Sequence, residues 1–376
     1  MIYLDYAATT PLAPQVFESM RPYLTEHFGN PSSVHRFGQV ARKAIDESRI
    51  FFVEALGAAS PRNIIFTGSG TESCNLAIFG TAFANQKRGK HIIISAFEHA
   101  AILEPAEYLR DNFGFELTLI KPSPEGIINP EEVAAALRPD TTLVSIMYVN
   151  NEVGTVQPIK KIAKLVRQRG AIFHTDACQA PGYLDINCAH LGVDLMTLNA
   201  SKVYGPKGIG LLYIREGIQL TPQIMGGGQE FRMRGGTESP AQIVGFASAM
   251  RLFLEHSKEE AERLRALRDN LQSKLLTLPG AALNGHPDLR LPNFLNLKID
   301  GITGENLVQR LDIEGVAASA GAACSSGKLK ASHVLLAMGK SLKEASHSIR
   351  FTLGRPTTEE EIEKTVEIMR SLYTSP

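Results

Sequence analysis

The sequence predicts an α/β protein: a mostly parallel sheet, covered by helices on both faces, in a large unit that is followed by a smaller α+β unit. Short β-rich runs alternate with longer helical patterns through the first two thirds of the chain, the rhythm of repeated βαβ units. The 376 residues, set against roughly 150 per domain, give about two domains. The rhythm also changes after a glycine-rich stretch and a long charged stretch of helix formers.

Taken in order, residues 64–66, 92–94, 117–120, 143–147, 172–174 and 195–198 read as strands. Residues 71–85, 100–112, 130–137 and 159–169 read as the helices between them. In such a sheet, site residues are expected where strands end and loops begin. A glycine-rich loop runs from Gly226 to Thr237, and one long helix is expected from about 241 to 276, with a domain boundary along it. The large unit is then 12–252, and the small unit is 253–376 together with 1–11. The small unit is expected to hold a strand at 294–299, a helix at 304–311, a small-residue tract at 317–327 and a last helix from about 358.

Composition removes several classes of function. Lys+Arg and Asp+Glu balance at 39 each, 44% of residues are hydrophobic and 21% charged, so disorder and fibrous repeats are excluded. A formal net charge of +0 lacks the footprint of a dedicated nucleic-acid or anionic-membrane binder. Met1 to Asp5 carries no basic leader, and no run of about 18 apolar residues occurs, so no membrane span and a cytoplasmic location are expected. Cys74, Cys178, Cys188 and Cys324 show no C-x-x-C spacing, which argues against a disulfide scaffold or a zinc site. No metal is expected.

Thr67-Gly68-Ser69-Gly70-Thr71 follows a strand and opens a helix, where free N–H groups and the positive end of the helix dipole receive phosphate. The dinucleotide pattern begins at Gly68 and Gly70 but meets Ser73 at its last place, and Gly339-Lys340-Ser341 lacks the first glycine of a P-loop. Asp176 stands at the end of one apolar strand and Lys202 just beyond another. Taken singly, Asp176 suits a helix N-cap and Lys202 a solvated loop cation. With a phosphate cradle they fit pyridoxal phosphate, held as an imine by a lysine and protonated at its ring nitrogen beside a carboxylate. Lys207 competes for the imine, but Gly205, Pro206 and Gly208 around it suit a turn.

The segments Tyr3-Leu4-Asp5-Tyr6-Ala7-Ala8-Thr9-Thr10, Phe28-Gly29-Asn30-Pro31-Ser32-Ser33, Thr71-Glu72-Ser73, Glu98-His99, Val149-Asn150-Asn151-Glu152-Val153-Gly154, Asp176-Ala177-Cys178-Gln179, Lys202-Val203-Tyr204-Gly205-Pro206-Lys207-Gly208 and Arg350-Phe351-Thr352-Leu353-Gly354-Arg355 resemble the cysteine desulfurases of the NifS/IscS type. The match runs in order along nearly the whole chain. It implies a fold-type I pyridoxal-phosphate enzyme, normally a homodimer, that converts L-cysteine to L-alanine and leaves a persulfide on the protein.

The resemblance also implies roles. Lys202 would be the imine lysine and Asp176 the pyridinium partner. His99 would stack on the ring and relay protons, Gln179 would bond the ring hydroxyl, and Asn151 would lie near that hydroxyl or the substrate carboxylate. Gly70, Thr71, Asn199, Ser201 and, from the other subunit, Thr237 would hold the phosphate. Arg350 would clamp the substrate carboxylate, a task suited to a planar two-point donor. By themselves, His99 also reads as a core histidine, Thr237 as a turn residue and Arg350 as a surface ion pair.

Cys324 lies in a tract of small residues and glycines that favours a loop over a packed helix face, and the tract resembles the family's nucleophile loop. Its thiolate would take the substrate sulfur and pass it to an iron–sulfur scaffold or a tRNA-thiolation protein, with Cys324 also a candidate transient cluster ligand. The family usually carries histidine where Ser201 stands; a hydroxyl reaches less far and carries no charge. Cys178 reads as core packing or a redox-sensitive neighbour of the site. The competing functions are a selenocysteine lyase or another fold-type I aminotransferase, and a non-catalytic relative kept as a binding partner.

Overall fold

A computed structural model describes residues 1–320 and 331–374. After β1 (Ile2–Tyr3) come α1 (Pro14–Thr25) and α2 (Arg36–Leu56). The alternating part then begins with β2 (Ile64–Thr67), α3 (Gly70–Asn85), β3 (His91–Ser95), α4 (Ala100–Phe113) and β4 (Glu116–Ile120). It continues through α5 (Pro130–Ala136), β5 (Thr141–Ser145), α6 (Ile159–Gln168), β6 (Ile172–Asp176), α7 (Cys188–Leu191), β7 (Leu195–Asn199) and β8 (Gly210–Ile214). Most boundaries fall within about two residues of those the sequence predicts.

These strands form one seven-stranded sheet in the order β2-β8-β7-β6-β5-β3-β4. β3 to β7 pair in parallel, and β8 runs antiparallel to both β2 and β7. Because side chains alternate across a strand, Ile92 and Ile94 join the apolar layer under α3 and α4, while Ile93 joins the opposite layer with Phe52, Val144, Phe173 and Phe246. Burial on both faces explains why β2, β3 and β8 read as largely apolar runs, whereas edge strand β4 is partly exposed. β8 is not among the strands the sequence predicts, since the Gly-Pro-Lys-Gly turn before it hides a strand of five residues.

The long helix expected at 241–276 is two helices, α8 (Pro240–Glu255) and α9 (Ser257–Leu275), broken at His256 with φ −109° and ψ 10°. The break has a packing reason. Apolar α8 lies on α1 and α2, whereas charged α9 lies on the last helix and the second sheet. That sheet holds β9 (Ala282–Asn284), β10 (Phe294–Lys298) and β12 (Ser348–Thr352), antiparallel in the order β12-β10-β9. Around it stand α10 (Gly304–Ile313), β11 (Val316–Ala317), α11 (His333–Ala337), α12 (Leu342–Ser346) and α13 (Glu359–Thr374). Leu264, Leu271, Leu295, Leu297, Ile349 and Phe351 form its core, joined by Ile2 and Leu4 from the chain's start.

One buried ion pair fixes the glycine-rich segment against the large sheet. Arg49 of α2 and Glu230 meet at 2.6 Å, with side chains 4% and 1% exposed. Glu230 also accepts the Phe66 N–H at 2.9 Å, and its backbone sits at φ 47°, ψ 44°. Removing one partner of such a pair leaves an uncompensated buried charge. Glu230→Ala is expected to destabilise the protein by about 3–5 kcal/mol, read as a lower denaturation midpoint; an unchanged midpoint would show that the pair holds nothing.

Candidate active site

The site begins with strand register. β6 and β7 run side by side, with Asp176 opposite Thr197. Each chain then leaves the sheet at the same end, β6 into Ala177-Cys178-Gln179 and β7 into a 3₁₀ turn over Ala200–Lys202. Asn199 caps that turn by accepting the Ser201 N–H at 3.3 Å. The turn belongs to the connection that reverses the chain into antiparallel β8, so Lys202 is carried on a tight link between neighbouring strands. Tyr204 follows in the left-handed region at φ 63°, held by a bond from its N–H to Thr10 Oγ1 at 2.8 Å.

α3 starts beside this rim. Ser69 caps it by accepting the Glu72 N–H at 3.1 Å, which leaves the Gly70 and Thr71 N–H groups pointing past the helix end. A Cβ at Gly70 would stand 3.1 Å from Cys178 Sγ and 3.2 Å from Asn199 Cβ, so glycine is what lets the helix approach the ends of β6 and β7 so closely. His99 caps α4 by accepting the Ala101 N–H on Nδ1 at 3.0 Å, which leaves Nε2 free of that bond. Thr71, Asn75 and His99 line an open cleft of about 430 Å3 between α3 and α4.

Lys202 Nζ donates to the carbonyls of Ala7 and Ala8 at 2.7 and 2.6 Å. Burial lowers its pKa from the ordinary lysine value, so the neutral amine is easier to reach than on a surface lysine. Lys207 is exposed, as a turn residue should be. Asp176 Oδ1 accepts the Cys178 N–H at 2.9 Å, and Cys74 Sγ lies 3.9 Å from Oδ2. Burial pushes both thiols well above the ordinary cysteine value. Behind them His174, bonded to Ser145 and Thr197 at 2.8 and 3.0 Å, is held down at about 4 by burial.

The second sheet contributes Arg350, 3% exposed. Its guanidinium donates to the Asn151 carbonyl and to Asp5 Oδ1, each at 2.6 Å, and its Nε has no partner among the described residues. Asn151 Oδ1 is likewise buried without a partner. Gln179 Nε2 donates to the Ala7 carbonyl at 3.0 Å.

The structure therefore brings Gly70, Asn199, Ser201, Lys202, Asp176 and Gln179 to one rim, with His99, Asn151 and Arg350 on neighbouring segments. The surface ion pair that Arg350 could have been is a buried one. Thr237 is exposed, and no hydrogen bond ties it to these groups within one chain. Cys324 lies outside the described residues. Sequence reasoning gives no role to Asp5, Glu98, Glu152, Ser332 or His333. Buried Glu98 accepts from Ser95 and from the Met147 N–H, buried Glu152 accepts from Ser332, and His333 bonds the Glu98 carbonyl at 2.9 Å. Asp5, Glu98 and Glu152 stand inside the family's motifs, but for Asp5 and Glu152 side-chain partners 345 and 180 residues away leave no local signal.

This donor set suits pyridoxal phosphate: an amine for its aldehyde, a carboxylate for its ring nitrogen and free helix-end N–H groups for its phosphate. The unpartnered Asn151 Oδ1 and Arg350 Nε are the loose ends that a bound, hydroxyl- and carboxylate-bearing pair of ligands would satisfy.

The family model described as aminotransferase class-V matches residues 2–365. The chain is 46% identical to a cysteine desulfurase IscS of Dictyoglomus turgidum, over 99% of this chain and 94% of that one. It is 48% identical to a cysteine desulfurase IscS of Pectobacterium carotovorum, over 98% and 92%. Among solved structures, a NifS-like protein superposes with a TM-score of 0.92 at 35% identity and 99% coverage of both chains. SspA in complex with cysteine superposes with a TM-score of 0.84 at 37% identity, over 94% of this chain and 99% of that one.

Glu98 gives the site a measurable pH signature. Burial raises its pKa from 4.5 to about 8, so between those values the folded state holds a proton that the unfolded chain has released. The resulting stability is fully present below the unfolded value and is lost as pH rises toward the folded one. From pH 5 to pH 8 the unfolding free energy of the wild type is therefore expected to fall more than that of Glu98→Gln, by on the order of a few kcal/mol. His174 contributes equally to both proteins. Parallel pH profiles in chemical denaturation would show that Glu98 titrates normally.

Proposed function

The chain belongs to the aminotransferase class-V family, and we propose that it acts as a cysteine desulfurase, converting L-cysteine to L-alanine and supplying the sulfur to an acceptor protein. The observation that carries this reading is the meeting of the Lys202 amine, the Asp176 carboxylate and the helix end at Gly70 on one rim. Pyridoxal phosphate, the cofactor of this family, supplies when bound an electron sink for the charge released at the substrate's α-carbon.

The chain's own residues do the rest. Arg350 receives the substrate carboxylate, with Asn151 beside it. Lys202, its amine kept neutral more readily by burial, takes the α-proton. With the cofactor bound, Asp176 would keep its ring nitrogen protonated, Gln179 would bond its ring hydroxyl and His99 would stack on its ring. The Gly70 and Thr71 N–H groups, Asn199 and Ser201 would hold its phosphate, with Thr237 of a second copy completing the cradle. The Cys324 thiolate attacks the substrate sulfur: an S–S bond forms, the C–S bond breaks, the β-carbon keeps the bonding pair and takes a proton, and Lys202 returns a proton to the α-carbon to give L-alanine. Cys324 is left as the persulfide.

A homodimer is supported by exposed Phe28, Val34 and Phe37 within one short segment, Phe28 and Phe37 with ring centres 5.7 Å apart; single apolar residues are ordinary, but several together mark a contact surface. We place the acceptor among iron–sulfur scaffolds or tRNA-thiolation proteins, the protein in the cytoplasm, and the division between the two units near residue 252. No helix among the described residues is long and apolar enough to cross a membrane.

The purified protein is expected to be yellow and to release alanine and sulfide from L-cysteine in equal amounts. Cys324→Ala should keep the colour and lose sulfide release by at least about a hundredfold; full retained activity would reject the persulfide route. Lys202→Ala should lose the borohydride-trapped lysine link, and an unchanged link would move the assignment to Lys207.

A further inference from the structure

Arg350 must present a fixed donor edge if it is to tell a carboxylate from other groups, yet a free arginine side chain samples many rotamers. In this protein two partners fix it. The Asn151 carbonyl takes one terminal nitrogen and Asp5 Oδ1 takes the other, each at 2.6 Å. A guanidinium carries five N–H donors. With one engaged on each terminal nitrogen, Nε–H and one further hydrogen on each terminal nitrogen stay available, and Nε is buried without a partner.

Asp5 is itself held firmly. Its backbone bridges Thr352 on the edge of β12 away from β10, flanked by bonds from the Thr352 N–H to the Leu4 carbonyl at 2.7 Å and from the Ala7 N–H to Thr352 Oγ1 at 2.9 Å. The same short segment carries the Ala7 and Ala8 carbonyls that take Lys202 Nζ. The Asp5 and Arg350 side chains are 17% and 4% exposed, so little solvent is present to let the pair rearrange. An anion so close to Arg350 weakens its pull on any carboxylate; an acceptor that only neutralised it would be a liability for substrate binding. What it supplies is orientation.

We infer that Asp5 is a positioning residue that sets specificity: it aims the Arg350 guanidinium so that the site accepts amino acids with a free α-carboxylate and rejects amines that lack one. The inference rests on the reading of Arg350 as the substrate-carboxylate site. It adds a determinant that acts through geometry and not through charge.

The test uses the cofactor-loaded enzyme and two ligands that cannot give up sulfur, L-alanine and L-alaninamide, titrated by the change in cofactor absorbance. The ratio of their dissociation constants measures carboxylate recognition and is independent of turnover. Asp5→Asn keeps an acceptor oxygen in place and should hold the ratio within about threefold of wild type, whereas Asp5→Ala should lower it by about tenfold or more with alaninamide affinity unchanged. Asp5→Glu, which keeps the charge but moves it by one methylene, should also lower the ratio, and it carries the test if the alanine variant does not fold. A wild-type ratio in both Asp5→Ala and Asp5→Glu overturns the inference, as does an equal loss of affinity for the two ligands. Failure of the wild type to desulfurate L-cysteine would strike the proposed function, while the ratio would still decide the role of Asp5 separately.

Discussion

The parallel register of β6 against β7 is the constraint on which the rest of the site depends. With Asp176 opposite Thr197, the two strands end within a few residues of each other, and a turn of three residues suffices to bring Lys202 to the rim. Because side chains alternate across a strand, a slip of one residue would turn Met196 and Leu198 out of their apolar layer and swing the strand ends to the opposite face. The layer that contains Phe173, Met196 and Leu198 therefore fixes the chemistry as firmly as it fixes the fold.

A second constraint is the low dielectric around the rim. Lys202, His174 and Glu98 are all moved toward their neutral forms by burial, and the thiols of Cys74 and Cys178 are kept protonated in the same way. Two cysteines can then flank the Asp176 carboxylate without acting as nucleophiles, because a buried thiol is a small apolar group. Arg350 is the exception, a cation that stays deep only because Asp5 and the Asn151 carbonyl meet it.

Most of the fold is legible in the sequence because local rules suffice. Apolar runs such as 64–66 and 92–94 are too short and too continuous for anything but buried strands between helices, and Gly68-Ser69-Gly70 announces the turn into α3. What escapes are features decided by distant partners. The break at His256 follows from two cores pulling on one helical stretch, and nothing in its own residues forbids a helix there. β8 is short and follows a turn signal. For the site, the lysine and aspartate can be read from strand ends, and the remaining roles come from the family's motifs. Asp5 and Glu152 carry no role in the sequence because an ion pair with Arg350 and a hydrogen bond from Ser332, 345 and 180 residues away, leave no periodicity to detect.

The interleaving of the chain's start with β12 has a consequence for how the protein is made. Asp5 and Arg350 are separated by 345 residues, so this pair cannot form until almost all of the chain has left the ribosome. Contacts of such long separation form late and close an expensive loop. The nascent protein thus acquires its large sheet and Lys202 well before Arg350 meets Asp5, and a half-synthesised chain lacks the contact that ties its first strand to the second sheet.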